Sequence, residues 1–304
     1  MRRSEIYTTD LDIVGSLSSR ERRRGRAWSV LAQSVRGAAH ARRGEPNQDA
    51  VAFLPEAGRG APLILAVSDG HGSPKSFRSD RGARLAVAAA VGEAERLLAA
   101  PGITAADAAR IARDELRGAV IRDWERRVRE DLAAQAFTAA ERKRFTAQYG
   151  APAWKALRSG PLLAYGATLL LAVATTEFLL VGQIGDGDIV AVTRAGCATR
   201  PLRADPRLFG GDTTSLCLEN AAESFALCVA PAHGDRPALI LIATDGCANS
   251  FEDDGGFLSV GADLLMMLRE HDAATVQSDL GPWLEEVSRD GSGDDITVGA
   301  LCLL

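Results

Sequence analysis

The chain has 304 residues, enough for one large α/β or sandwich domain with a sizeable core. Hydrophobic content of 46% and charged content of 25% are ordinary globular values. The net charge of −5 argues against nucleic-acid binding by bulk electrostatics, and five cysteines with no C-x-x-C pair (Cys197, Cys217, Cys228, Cys247, Cys302) argue against a zinc knuckle or a disulfide framework.

Residues 1–27 carry the basic block RERRRGR and lack the apolar core of a secretory signal, so a flexible basic leader is expected. From Trp28 the texture changes. WSVLAQSV and QDAVAFL read as strands, and APLILAVSDG as a third, apolar throughout and so buried on both faces. Residues 79–100 read as a helix that Ser79 or Asp80 can cap. Residues 101–160 continue helical and look larger than a minimal domain needs. Thr104 can cap the first helix there, and Ile111, Leu116, Val120, Trp124 and Val128 form a packing stripe. A shorter helix with a Pro-broken turn follows.

After Gly160 the chain turns strand-rich. GATLLLAVAT, EFLLVGQIG, DIVAVTRAG and CATRPL follow at hairpin intervals. SLCLEN and SFALCVA suggest two more strands, then ALILIATDG a second buried one. Helices are expected at about 256–271 and 273–289, and ITVGALCLL closes the chain as a strand. The apolar run 161–184 contains Glu177 and reads as two strands with a turn, not a membrane span. A soluble, cytoplasmic protein is therefore expected. Without regular βαβ alternation the pattern favours an α+β layered fold, with 28–304 as one undivided domain.

Five aspartates stand out by position. Asp69 and Asp245 each end a buried strand in an Asp-Gly pair. Asp49 opens a strand in EPNQDAV, Asp294 opens the last in GSGDDITV, and Asp186 lies in the tight IGDGD turn. Asp-Gly alone is a common turn dipeptide. Buried strands that deliver several carboxylates need something positive between them. Hard oxygen donors without a His/Cys cluster suit Mg²⁺ or Mn²⁺ better than Zn²⁺. The glycine after Asp69 and after Asp245 leaves the backbone open to close approach.

In order, GAAHARRGEPNQDA, AVSDGHG, YGATLLLA, QIGDGD, IATDG and GDDITV resemble the metal-dependent Ser/Thr protein phosphatases of the type 2C (PPM) family, and its bacterial branch most closely. The resemblance runs from about residue 28 to the C-terminus. It implies a four-layer α/β/β/α sandwich, two antiparallel sheets face to face with helices on both outer faces, and a two-metal centre at one end. It implies Asp49, Asp69, the Gly70 carbonyl, Asp245 and Asp294 as ligands of two Mn²⁺ or Mg²⁺ ions. Asp186 falls at a third-metal position, and Asp295 behind the ligands.

The implied reaction is hydrolysis of phosphoserine or phosphothreonine by a hydroxide that bridges the metals, with His71 as proton donor. The implied partner is a phosphorylated protein, with a Ser/Thr kinase opposing the enzyme in signalling, and neither nucleic acid nor membrane. A monomer is expected. Three positions depart from the family pattern. Gly44 stands where many members have a phosphate-gripping Arg, which moves that role to Arg43, with Arg78 a weaker candidate. Gln48 replaces an acidic neighbour of the first Asp. Asn249 replaces a third-metal Asp. Residues 202–225 fall where the family carries a variable flap. Two other readings stand beside this one: an inactive phosphatase-fold interaction module, and a small-molecule phosphoesterase.

Overall fold

The computed structural model describes residues 27–203, 213–234 and 236–303. The leader lies outside these residues except for its last position, and so do residues 204–212 of the 202–225 segment. Among these residues, ten strands form two antiparallel five-stranded sheets. One sheet holds β2 (Ala50–Leu54), β3 (Leu63–Ser68), β4 (Leu169–Ala174), β5 (Phe178–Ile184) and β8 (Ala226–Pro231), in that order. The other runs β1 (Trp28–Val35), β10 (Ile296–Leu303), β9 (Leu239–Ala243), β6 (Asp188–Val192) and β7 (Ala198–Thr199).

Period-2 alternation splits each central strand between two interfaces. Leu63, Leu65 and Val67 point between the sheets, where they meet Ile240, Ile242 and Leu301. Ile64 and Ala66 face the helices of their own side, and Leu239, Leu241 and Ala243 face those of the other. All six residues of β3 are buried, as the unbroken apolar run requires. Helix α1 (Ala38–Arg43) is short; α2 (Ser79–Leu98) covers the first sheet, and α8 (Asp254–Glu270) and α9 (Ala273–Asp290) cover the second. The expected four-layer sandwich is what the chain forms.

The helical block after α2 is built as packing. Thr104 closes a capping box with Asp107 at the start of α3 (Ala105–Ile111). A π-helical segment, Ala112–Leu116, leads into α4 (Arg117–Ala134). That wider turn explains the five-residue step from Ile111 to Leu116, which would fall out of phase in a plain α-helix. Leu116, Val120, Trp124 and Val128 then repeat every four residues and are buried, with Trp124 donating to the Gly82 carbonyl at 3.1 Å. Helix α5 (Ala139–Ser159) kinks at Gly150, whose φ of 83° is left-handed, just ahead of Pro152.

Two local expectations fail. Neither Ser79 nor Asp80 caps α2. Arg78 is the N-cap, and its carbonyl rather than a side chain accepts from the Arg81 and Gly82 N–H groups. SLCLEN is not a strand. Leu216 N–H donates to the Ala167 carbonyl at 3.0 Å and Leu218 N–H to that of Ser215, which makes a turn before the short α6 (Ala221–Ser224). No disulfide joins the five cysteines, and Cys228, Cys247 and Cys302 are buried. No helix among the described residues is long and apolar enough to cross a membrane.

The outer edge of β1 is covered. Gln277 on α9 accepts from Ala32 N–H and donates to its carbonyl, both at 3.0 Å. Further along, Val30 N–H donates to Gly58 and Gly60 N–H to Trp28.

Candidate metal centre

Strand direction gathers the aspartates. Ala50 opens β2 opposite Ser68, the last residue of β3. Asp188 opens β6 and Val298 lies early in β10, and both pair with Ala243 at the end of β9. Strand starts and ends therefore alternate at one end of the sandwich. A cavity of about 390 Å³ lies there, lined among others by His40, Arg43, Gln48, Asp69, Gly70, His71, Asp186, Asp245 and Asp294. Asp49 lies beneath it, 7% exposed, and accepts from Thr244 Oγ1 at 2.8 Å.

The carboxylates perturb one another. Burial first, and then the neighbouring charges of Asp295 and Asp245, push the Asp49 carboxyl up to about 8 against hydrogen bonds from Thr297 and Thr244. Burial and the Asp49 charge raise Asp69 well above the usual range. Burial also raises Asp245, which lies within hydrogen-bond reach of Asp69. Burial and mutual repulsion together favour the protonated forms of Asp49, Asp69 and Asp245.

Two buried acceptors have no hydrogen-bond partner: Asp49 Oδ1 and Gln48 Oε1. Buried orphans of this kind are rare and costly. Hard oxygens around an uncompensated negative cluster fit small divalent cations. The residues present therefore fit the metals that the sequence implied.

The two Asp-Gly pairs use their glycines for close approach. A Cβ on Gly70 would lie 2.6 Å from Ser79 C and 2.7 Å from the Gln48 carbonyl oxygen. One on Gly246 would lie 2.2 Å from the Asp295 carbonyl oxygen. Their carbonyls differ. That of Gly246 accepts from Ser250 Oγ at 2.7 Å and Ser292 Oγ at 2.9 Å, so it is not open to a metal. Gly70 lines the cavity.

His71 also lines the cavity. Its N–H donates to the Gly166 carbonyl, and its ring lies so close to Gly166 that a Cβ there would sit 2.6 Å from Cδ2. Burial lowers its pKa, with the Asp186 charge opposing. The Asp186 turn is fixed from both sides: Gln183 Nε2 donates to the Gly185 and Gly187 carbonyls, and Gly185 N–H donates to Thr214 Oγ1. Asn249 Nδ2 donates to Asp245 Oδ2 at 3.0 Å.

Arg43 stands at the cavity wall, its Nε donating to Glu45 at 2.6 Å. Gly44 is the left-handed C-cap of α1, with φ 69°, a conformation that an Arg side chain would disfavour. Arg78 is not at the site. It is 4% exposed and donates to Glu141, to Tyr165 and to the carbonyls of Gln135 and Ala136.

Sequence reasoning missed two contributors. His40 lines the cavity, with Nδ1 2.8 Å from Asp295 Oδ2 and Nε2 3.5 Å from Asp294 Oδ1. Thr244, one residue before Asp245, holds Asp49. Asp295 does more than fill space. It is 3% exposed and accepts from the N–H groups of Gly37 and Gln48, each at 2.6 Å, as well as meeting His40. The run HARRG gave the one signal for His40, a histidine just ahead of a helix-ending glycine.

The protein phosphatase 2C family model matches residues 36–285. No curated protein matches. Among solved structures, the catalytic domain of the serine/threonine protein phosphatase PstP in complex with two manganese ions is 19% identical, covers 91% of this chain and 98% of its own, and gives a TM-score of 0.53. The PstP/Ppp phosphatase of Mycobacterium tuberculosis is 18% identical, with 91% and 99% covered and a TM-score of 0.52. PppA, a regulatory component of the T6SS in Pseudomonas aeruginosa, is 19% identical, with 91% and 98% covered and a TM-score of 0.55. At these identities the structures establish the shared fold, and the family model extends over most of the chain. The chain belongs to the protein phosphatase 2C family and is, by class, a Ser/Thr protein phosphatase.

Proposed function

We propose that this enzyme hydrolyses phosphoserine and phosphothreonine in proteins with two divalent cations, Mn²⁺ or Mg²⁺, held by Asp49, Asp69, the Gly70 carbonyl, Asp245 and Asp294. Asp186 faces the same cavity and is the candidate contact for a third. The observation that carries this reading is the convergence of carboxylates on one cavity above a buried, partnerless Asp49 Oδ1. Bound there, such cations supply positive charge that acidifies water and neutralises phosphoryl oxygens.

The chain's own groups divide the remaining work. Arg43 grips a phosphate oxygen at the cavity wall, with its Glu45 contact holding the guanidinium in place. His71 donates a proton to the leaving Ser or Thr oxygen. The protonated ring is the donating form, and burial works against it. Asp295 fixes His40, Gly37 and Gln48, and so sets the position of the loop ahead of Asp49. A silent interaction module has no use for this many converging carboxylates, which counts against that alternative. In this reading the enzyme opposes a Ser/Thr kinase.

The test is hydrolysis of a phosphothreonine peptide with Mn²⁺, with Mg²⁺ and with excess chelator, beside Asp245→Ala. Metal-dependent turnover that the variant lacks is expected. Absence of turnover with either metal, in folded protein, would overturn the reading. His71→Asn should slow phosphothreonine turnover while sparing p-nitrophenyl phosphate, whose leaving group needs no proton. Equal loss on both substrates would remove His71 from the donor role.

A further inference from the structure

The loop that leaves the metal centre after His71 runs directly under α5. Lys75 Nζ sits 5.4 Å from the centre of the Tyr149 ring. Phe77 packs edge-on against Phe145 at 6.1 Å, and Phe145 meets Tyr149 and Trp154. The inward stripe of α5 is thus Glu141, Phe145 and Tyr149, at i, i+4 spacing. Its outward surface carries Arg142, Lys143 and Arg144, and beyond the kink Lys155 and Arg158, all exposed. Glu141 is the only carboxylate in the helix, and the buried Arg78 takes it.

In helix α4, by contrast, three of the five arginines find carboxylates on their own helix. Arg126 pairs with Asp123 and Glu130, Arg127 with Asp123, and Arg129 with Glu125. Among the described residues, none of the five α5 cations nor Lys75 has a carboxylate within ion-pair distance. This concentrated positive face belongs to a chain of net charge −5.

We infer that α5 and Lys75 form a docking face for an acidic segment of the phosphoprotein substrate, a few residues from the phosphorylated side chain. The inference rests on the phosphoprotein substrate proposed above. His71 and Lys75 are four residues apart, so their Cα atoms lie within about 14 Å, which an extended substrate spans in about four residues. The Arg142–Arg144 cations lie one to two helical turns from Tyr149, so the face reads acidic side chains at roughly four to eight positions from the phosphoresidue. At physiological salt, screening over about 8 Å confines the attraction to groups that reach the face itself.

The experiment compares two phosphothreonine peptides, one with Glu and one with Gln at positions four to eight from the phosphothreonine, on wild-type enzyme and on Arg142→Glu/Lys143→Glu/Arg144→Glu. Wild type should prefer the Glu peptide roughly tenfold in kcat/KM, through KM and with a preference that fades as salt rises. The triple variant should erase that preference and keep its rate on p-nitrophenyl phosphate. Equal rates on both peptides in wild type, or an unchanged preference in the variant, would overturn the docking face.

Binding of the fluorescein-labelled Glu peptide, followed by anisotropy in chelator, gives a readout that needs no turnover. If no substrate is hydrolysed but the Glu peptide binds and the variant releases it, the docking face stands and the enzymatic reading falls. A single-stranded DNA oligonucleotide of equal charge that binds more tightly than the peptide would overturn the choice of partner.

Discussion

The ends of β3 and β9 carry nearly the same words, VSDGHG and ATDGCA, and use them differently. Both place an aspartate on the cavity and follow it with a glycine pressed against backbone. After β3 the chain stays open, with Gly70 and His71 lining the cavity before α2 begins. After β9 it coils at once into the short α7 (Asp245–Ala248), and two serine hydroxyls occupy the Gly246 carbonyl. One end is built to offer groups to a ligand, the other to anchor an aspartate. A repeated dipeptide reports a shared steric need, and its neighbours decide the chemistry.

The largest test of that contrast is at the aspartates. Asp69→Asn and Asp245→Asn should each lower kcat on the order of 10²–10³-fold, the scale of losing a preorganised charge at a reacting centre. Both should also raise the melting temperature of chelated protein, because each removes repulsion within the carboxylate cluster. A small kinetic loss at Asp245 alone would break the symmetry of the two ends.

The glycines come next. Gly246→Ala and Gly70→Ala should each destabilise by about 1–3 kcal/mol in urea unfolding, as overpacking against fixed backbone does. Gly246→Ala should be the worse, since its Cβ would meet backbone at 2.2 Å rather than 2.6 Å. The reverse order would place the tighter constraint at β3.

Smaller per pH unit is the pH dependence of the chelated protein. The Asp49 carboxyl is raised from 3.8 to about 8 in the folded state, so between those values the native state holds the extra proton. Stability should therefore fall as pH rises through that window, by at most about 1.4 kcal/mol per pH unit per retained proton. Urea midpoints in chelator from pH 5 to 8 measure it, and Mn²⁺ should flatten the slope. Asp69→Asn and Asp245→Asn should each shrink the slope, since both carboxyls are raised in the folded state.

Smallest are the hydroxyls. Ser250→Ala and Ser292→Ala should each cost about 0.5–1.5 kcal/mol of stability, the net worth of one hydrogen bond, with kcat unchanged. A kinetic effect would mean that the Gly246 carbonyl takes part in the site after all.

Much of this was legible in the sequence because it depends on local rules. The strands β3, β9 and β10 announce themselves by apolar runs that begin or end at Asp, and β1 by its alternation. The five aspartates stand out because each ends or begins such a run. What the sequence hid depends on contacts between distant positions. Asp295 reaches His40 across 255 positions, and Thr244 reaches Asp49 across 195. Arg78 looked available for phosphate because its fate is set by Glu141 and by carbonyls at the end of α4, which no local pattern announces. SLCLEN misled because its alternation is real, but its backbone groups are spent on Ala167 and on its own turn.

The covered edge of β1 limits how this protein meets copies of itself. A bare edge strand is a template for further strands, in another copy or in a fibril. Here Gln277 supplies from a helix the donor and acceptor that a neighbouring strand would supply, and the 58–60 loop closes the stretch beside it. Along this edge the Trp28 carbonyl, the Val30 N–H and both backbone groups of Ala32 are already taken. Exposing it requires α9 to lift from the sheet, so edge-to-edge growth there is coupled to loss of native packing and is held back while the domain stays folded.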